Sequence, residues 1–239
     1  MIVPRETLQN ASSAFRVPLD DMALDRLDTY ATMLVDYNSR VNLTAITDPE
    51  GIAVKHFADS LAVFAAAEIP QEAHCIDVGT GAGFPGLVML IARPDLHMTF
   101  VDSTGKKLRF VQEVLDHTGL QAEVVHARAE ELGRDSQFRE QFDFVTARAV
   151  AAMDTLCEYC LPLARIGGMF IAMKGPDAER EMETARKGIH LLGGGEAVFK
   201  RFQLSQSAER NILTVKKISQ TPPKYPRPSA QIAKRKIGS

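Results

Sequence analysis

The sequence has no tryptophan and only three cysteines among its 239 residues. Three cysteines cannot build the disulfide framework of a small secreted protein. Cys157 and Cys160 form a lone CxxC pair, and neither a second pair nor a nearby histidine completes a tetrahedral zinc site. A redox role would need a low-pKa thiol at a helix start, whereas helix-like sequence begins earlier, near Ala151. We therefore expect no metal site, and we expect both thiols to pack as small residues on a helix.

Long apolar runs are also missing. No stretch approaches the roughly 18 uninterrupted apolar residues that a membrane-spanning helix needs, and the first ten residues lack the basic-then-apolar pattern of a signal peptide. With 45% hydrophobic residues, the chain has enough apolar material for a packed core, which excludes disorder of the whole chain. We expect a cytoplasmic protein without a membrane partner.

Acidic residues are absent from the C-terminal segment. Residues 215–239 contain seven Lys or Arg, which leaves a net charge of −9 on the rest although the whole chain carries only −2. Concentrated cations favour a polyanion, because neutralised phosphates release counterions, and four prolines between 222 and 228 argue against regular structure. We predict a basic arm that binds RNA and contributes little to the fold; composition alone leaves a merely solvated terminus as the alternative. The cations are Lys216, Lys217, Lys224, Arg227, Lys234, Arg235 and Lys236.

Two periodicities divide the chain. Through residue 70, apolar residues recur at three- and four-residue steps, which indicates helices, and Asp48 before Pro49 marks one helix start. Beyond it, short β-rich runs alternate with helical stretches, which is typical of a parallel sheet with helices on both faces. Two last strand-like stretches, 196–204 and 211–218, are separated by a short polar turn and should pair as an antiparallel hairpin. This order predicts an α/β fold with the Rossmann-like sheet of class I methyltransferases, preceded by N-terminal helices.

The clearest motif is the glycine-rich turn IDVGTGAGFPG at residues 76–86, between a predicted strand and a helix. Gly79 and Gly81 let the backbone turn tightly and approach a ligand without a side chain in between. NAD and S-adenosylmethionine both need such a loop. Asp77 distinguishes the two cofactors. A carboxylate ~5 Å from the pyrophosphate of NAD repels it by about 3 kcal/mol at an effective dielectric of ~20. The same carboxylate attracts the ammonium and the sulfonium of S-adenosylmethionine. We predict S-adenosylmethionine as the cofactor.

Further cofactor contacts are predicted where the next two strands end. Asp102 ends the second strand, where an acid can accept hydrogen bonds from a ribose diol. Ser103 and Thr104 follow at a helix start, and contact with ribose or adenine competes there with plain helix capping. After the third strand, Ala129 offers backbone contact and Glu130 an acceptor for an adenine ring.

The end of the fourth strand lacks the groups that two nucleic-acid methylations need. Methylation of an exocyclic amine usually uses Asn or Asp with Pro-Pro-aromatic at this place, but residues 145–148 read VTAR. Cytosine-C5 methylation needs a cysteine nucleophile in a proline-cysteine setting, which is absent. A guanine N7 has a lone pair and no proton to lose, so it requires no catalytic acid or base. A small-molecule acceptor without a proton fits as well, and Arg148 is either a surface charge or a contact to cofactor or RNA.

Short motifs along nearly the whole chain match one family pattern. They are NLTAI at 42–46, HFADSL at 56–61, the glycine loop, RAE at 128–130, TARA at 146–149, KG at 174–175 and KYPR at 224–227. This combination resembles the RsmG family, also called GidB, whose members methylate a guanine N7 in 16S ribosomal RNA of the small ribosomal subunit. By this resemblance, a set of nine residues that includes the loop glycines binds S-adenosylmethionine: Gly79, Gly81, Phe84, Asp102, Ser103, Thr104, Ala129, Glu130 and Arg148.

We accordingly divide the chain into an N-terminal helical lead-in (1–70), an S-adenosylmethionine-binding Rossmann-like domain (71–220) and the basic proline-rich arm (221–239). A single catalytic domain predicts a monomer. Two other functions remain open at this point: a methyltransferase of small molecules, and a ribosome-binding module that senses the cofactor without turnover.

Overall fold

A computed structural model describes residues 3–205 and 208–238. The strands are β1 His74–Val78, β2 His97–Asp102, β3 Glu123–His126, β4 Phe142–Arg148, β5 Ala164–Lys174, β6 Gly194–Ser205 and β7 Ala208–Lys217. The helices are α1 Arg5–Phe15, α2 Asp21–Asn38, α3 Pro49–Ile52, α4 Asp59–Ala66, α5 Gly86–Ala92, α6 Gly105–Thr118, α7 Ala129–Leu132, α8 Met153–Cys160, α9 Ala178–Leu191 and α10 Ser229–Lys234. A π-helical turn, Ala53–Ala58, joins α3 to α4.

All seven strands form one sheet in the order β3-β2-β1-β4-β5-β7-β6. The first five strands run parallel, and β7 pairs antiparallel with both β5 and β6. The predicted parallel sheet with a C-terminal antiparallel hairpin is therefore confirmed. Because the chain runs outward from β1 to β3 and then returns to β4 on the other side of β1, a crevice forms at the carboxyl ends of β1 and β4.

Alternating side chains of the strands supply two hydrophobic cores, one on each face of the sheet. Cys75 packs into the core beneath the N-terminal helices, and the next residue, Ile76, packs into the core beneath α8 and α9. Cys157 and Cys160 are fully buried in that second core, as predicted for small residues on a helix. None of the helices in the described part of the chain is long and apolar enough to span a membrane.

Two of the N-terminal helices, α2 and α3, begin at acidic cap residues. The side chain of Asp20 accepts a hydrogen bond from the backbone N–H of Ala23 at the start of α2 (2.7 Å). Asp48 does the same for Gly51 at the start of α3, where Pro49 occupies the first helical position, as predicted. The division of the chain into lead-in, Rossmann-like domain and arm stays a prediction.

The prediction that the C-terminal segment lacks regular structure and contributes little to the fold is wrong. α10 forms within it, and Ile232 and Ile237 are only 1% and 4% exposed. The guanidinium of Arg227 makes hydrogen bonds of 2.9 and 2.7 Å to both carboxylate oxygens of the buried Glu158. The prediction failed for two reasons. Prolines fix φ without preventing the segment from packing. Two isoleucines five residues apart show neither helical nor strand periodicity, so no local pattern marks them as core residues.

We predict that Ile237→Ala lowers the free energy of unfolding by about 2–5 kcal/mol, because it leaves a cavity against Gly188 of α9. Urea denaturation measures this loss. Lys234→Ala, an exposed position on α10, is the matched control and should change stability by less than about 0.5 kcal/mol. An Ile237→Ala protein as stable as the control would contradict a structural role for the segment.

Candidate functional site

A cavity of about 300 Å³ opens where β1, β2 and β3 end. It lies at the edge of the sheet where open α/β folds bind ligands, and its volume suits a small organic molecule. The structure brings six of the nine predicted cofactor contacts together around this cavity: Gly79, Asp102, Ser103, Thr104, Ala129 and Glu130.

Gly79 occupies a position that excludes a side chain. Its φ is +67°, and a Cβ placed there would lie 2.6 Å from a methyl carbon of Val150. The backbone N–H of Gly79 donates a hydrogen bond to the carbonyl of Val101 in β2 (2.8 Å), which holds the loop against the neighbouring strand. The glycine therefore keeps the floor of the cavity open at the end of β1.

Asp102 organises the middle of the cavity. One of its carboxylate oxygens accepts a hydrogen bond from the backbone N–H of Gly81 (3.0 Å), and the other accepts one from Thr104 (2.8 Å). Each oxygen keeps a further lone pair for the hydroxyls of a ribose. Gly81 does not line the cavity but reaches it through this bond. Thr104 precedes α6 without a side-chain capping bond, so the capping alternative is not realised by its hydroxyl.

Glu130 lines the cavity from the first turn of α7 and is 7% exposed. Among the residues that the structure describes, none donates a hydrogen bond to its carboxylate. Because no buried side-chain oxygen of the described residues lacks a hydrogen-bond partner, this carboxylate is accessible from the cavity, where it can accept a hydrogen bond from the amino group of an adenine. Together with Asp102, this side chain gives the cavity acceptors that fit an adenosine.

Phe84 and Arg148 lie outside the cavity in a neighbouring cluster. The ring of Phe84 stacks on His56 at 4.4 Å and on Tyr30 at 5.3 Å between centroids, and the Arg148 guanidinium lies 4.6 Å from the centre of the Phe84 ring. Arg148 also donates a hydrogen bond of 2.9 Å to Asp59. Their roles as cofactor contacts stay predictions.

Asp59 ties three elements together beside this cluster. It begins α4, is fully buried, and accepts hydrogen bonds from Arg148 of β4 and from two guanidinium nitrogens of Arg210 in β7. His56 lies next to it and contacts the Thr44 hydroxyl (2.8 Å). Burial, together with the nearby Arg148 charge, lowers the pKa of His56 to about 4, so the imidazole is neutral at neutral pH.

Sequence reasoning did not assign every residue that lines the cavity, and Lys107, Val150 and Tyr159 are among those it left out. Lys107 lies three residues after Thr104 and shares its helix face, so helical spacing could have identified it. Val150 and Tyr159 reach the cavity only because of the paths that the chain takes between β4 and α8 and along α8. No local pattern marks those two residues.

Asp77 does not face the cavity, contrary to the expectation that its carboxylate sits beside the bound ligand. It is fully buried beneath the loop, where one oxygen accepts hydrogen bonds from the Thr80 hydroxyl (2.6 Å) and the Gly86 N–H (3.1 Å). The other oxygen accepts one from the Thr146 hydroxyl (2.9 Å). Asp77 therefore supports the loop from beneath, and its charge can act on a ligand only across the loop. Burial raises the pKa of Asp77 to about 6.

We predict a stability difference between the wild type and Asp77→Asn that depends on pH. Because the folded-state pKa of about 6 lies above the unfolded value of about 3.9, the wild type loses stability as pH rises from 4 to 6. The amide does not titrate, so Asp77→Asn should gain up to about 3 kcal/mol relative to the wild type over this interval and nothing above it. Urea denaturation across pH measures the gain, and Asp116→Asn on the exposed face of α6 is the control. A difference that is constant between pH 4 and 6 would contradict the raised pKa.

Comparison with known proteins gives one consistent family. Residues 23–213 match the family model described as rRNA small subunit methyltransferase G. A Moorella thermoacetica protein named ribosomal RNA small subunit methyltransferase G is 47% identical over 213 residues, which are 88% of this chain and 89% of that protein. A protein of the same name from Desulforamulus reducens is 40% identical over 233 residues, 97% of each chain.

Solved structures agree in fold. An S-adenosylmethionine-dependent O-methyltransferase from Thermotoga maritima matches with a TM-score of 0.54 and 14% identity, over 79% of this chain and 72% of that one. At this identity the match concerns the fold alone. That fold is the class I methyltransferase sheet expected from the order of the strands.

Proposed function

Because the chain belongs to the rRNA small subunit methyltransferase G family, we propose that it methylates the N7 of a guanine in 16S ribosomal RNA of the small ribosomal subunit. The membership confirms the predicted family, the methyltransferase activity and S-adenosylmethionine as the cofactor. A ribosomal substrate implies a cytoplasmic enzyme, which is part of the proposal. The monomeric state stays a prediction.

Family membership carries the proposal, and the acceptor set of the cavity supports its cofactor. When bound, S-adenosylmethionine supplies a methyl group on a positively charged sulfonium. Asp102 has lone pairs available for its ribose hydroxyls, Glu130 is an acceptor for its adenine amino group, and Ala129 offers backbone contact beside it. Gly79 leaves the backbone bare where the rest of the ligand must pass. The residues present therefore fit this cofactor.

The hydrogen bonds of the side chains at the end of β4 support guanine N7 as the methylated atom. The Thr146 hydroxyl donates to Asp77 beneath the loop, and the Arg148 guanidinium donates to Asp59. Among the described residues that line the cavity, only Asp102 and Glu130 carry carboxylates, and both are assigned to the cofactor. An acceptor atom that keeps no proton needs no base, so the protein has to align the two reactants and exclude water.

Transfer of a radiolabelled methyl group tests the proposal. The purified chain is offered naked 16S ribosomal RNA, assembled small subunits and a total metabolite extract, and the labelled RNA is digested to nucleosides to identify the modified base. We expect label in RNA, as N7-methylguanosine. Label confined to small metabolites would establish a small-molecule methyltransferase. Tight cofactor binding without any transfer would establish a sensing module.

We predict that the chemical step is nearly independent of pH through neutrality, because the guanine N7 loses no proton. Single-turnover rates at saturating cofactor measure it. A rate that rises tenfold per pH unit and disappears when one carboxylate is replaced would identify a general base and contradict N7 as the acceptor.

We predict that Asp102→Asn weakens binding of S-adenosylhomocysteine about 10- to 100-fold. Hydrogen bonds to a charged group contribute about 1.5–3 kcal/mol, and the amide keeps one oxygen for the Gly81 N–H while losing the other acceptor. Isothermal calorimetry measures the change, with Asp116→Asn as a control that should bind like the wild type. The wild type should bind S-adenosylhomocysteine more tightly than NAD. Unchanged affinity in Asp102→Asn would remove this residue from the cofactor site.

A further inference from the structure

A second cavity of about 720 Å³ lies between the end of α9 and the C-terminal segment. We call it the tail groove. Four cationic side chains line it, one from α9 and three from the C-terminal segment: Lys187, Arg227, Arg235 and Lys236. No carboxylate belongs to the lining among the residues that the structure describes. The groove therefore brings cationic side chains from two parts of the chain to one space, and carboxylates of α8 pair with two of them, Glu158 with Arg227 and Asp154 with Lys236.

The body of the protein holds these cations in place. Arg227 is anchored on Glu158, which is fully buried behind it and balances its charge. The Lys236 ammonium donates a hydrogen bond to the Thr155 hydroxyl in the first turn of α8 (2.5 Å). Ile237 packs against α9 beside Lys187. An ordered groove binds a partner with a smaller loss of conformational entropy than a free arm.

Charge and shape together indicate the chemistry of a ligand. Residues 1–214 carry a net charge of −9, whereas the lining of the groove has four cationic side chains and no carboxylate among the described residues. Tyr225 also lines the groove, and the Lys224 ammonium lies 5.3 Å from the centre of its ring. Cations beside an aromatic ring are the pattern that single-stranded nucleic acid favours, since phosphates meet the charges and a base can stack on the ring.

One helix, α8, contributes to both the tail groove and the cofactor cavity. Its Glu158 holds Arg227 of the groove, and the next residue, Tyr159, lines the cavity. An RNA strand that occupies both spaces would therefore pass over α8.

We propose that the tail groove binds the phosphate backbone of the RNA strand whose guanine is methylated. This inference rests on the proposed function, because it takes that RNA as the partner. It also replaces the free basic arm expected from composition with a built site in which the folded C-terminal segment and α9 act together.

The test compares two double variants of the full-length chain. Lys187→Gln/Arg235→Gln removes two exposed groove cations, and Arg16→Gln/Arg109→Gln removes two exposed cations from the opposite helical layer. Binding to 16S ribosomal RNA is measured across a salt series. Melting temperatures and affinity for S-adenosylhomocysteine show that both variants fold.

For the groove variant we expect the slope of log K against log salt to fall by about 0.7–0.9 for each cation removed. Binding at 0.1 M salt should weaken roughly tenfold or more, and KM for RNA should rise while kcat stays unchanged. Lys187→Arg should keep the wild-type slope. The control variant should match the wild type. Equal slopes in the groove variant and the control would overturn the proposal.

Binding and methyl transfer separate the two proposals. If the wild type labels only small metabolites but its RNA binding depends on the groove cations, the proposed function fails and the groove stands. If it methylates ribosomal RNA and the groove variant keeps both slope and KM, the groove fails and the function stands. A wild-type chain that binds no RNA overturns both.

Discussion

The buried carboxylate of Asp77 is the constraint on which the cofactor site depends. It joins the beginning of the glycine loop at Thr80, the end of the loop at Gly86, and β4 at Thr146. Burying this group is unfavourable for its charged form, as the raised pKa shows, and the three hydrogen bonds offset part of that cost. Gly86 has no alternative here, because a Cβ would lie 2.9 Å from an Asp77 oxygen.

The N-terminal helices complete this arrangement from the other side of the loop. The hydroxyl of Tyr30 in α2 donates a hydrogen bond to the carbonyl of Ala82 (2.6 Å), and its ring stacks on Phe84. The loop is thus held from below by a carboxylate and from the side by a helix that precedes the sheet. Such double support is what keeps a ligand-binding backbone in one shape before the ligand arrives.

Local patterns were sufficient to predict the sheet, because the periodicity of a strand or a helix can be recognised within a few residues. The glycine loop also marks the boundary between β1 and α5. Local patterns were also sufficient to predict that Asp102 and Glu130 lie together at one cavity, since the ends of neighbouring parallel strands meet at one edge. The direction of the Asp77 carboxylate was not predictable from its neighbours, because Thr146 is 69 residues away. The packing of Ile237 depends in the same way on a distant glycine in α9.

The Asp59 cluster constrains how this region can vary. A single buried carboxylate satisfies two guanidiniums from different strands, Arg148 and Arg210, so its loss leaves two partly buried cations without their partner. Replacing either arginine alone changes the environment of the other, and the effects of such substitutions do not add. The contributions of these three residues to stability are therefore coupled. An exchange of β7 between two proteins therefore keeps this cluster intact only where the incoming strand supplies an arginine that reaches the carboxylate of α4.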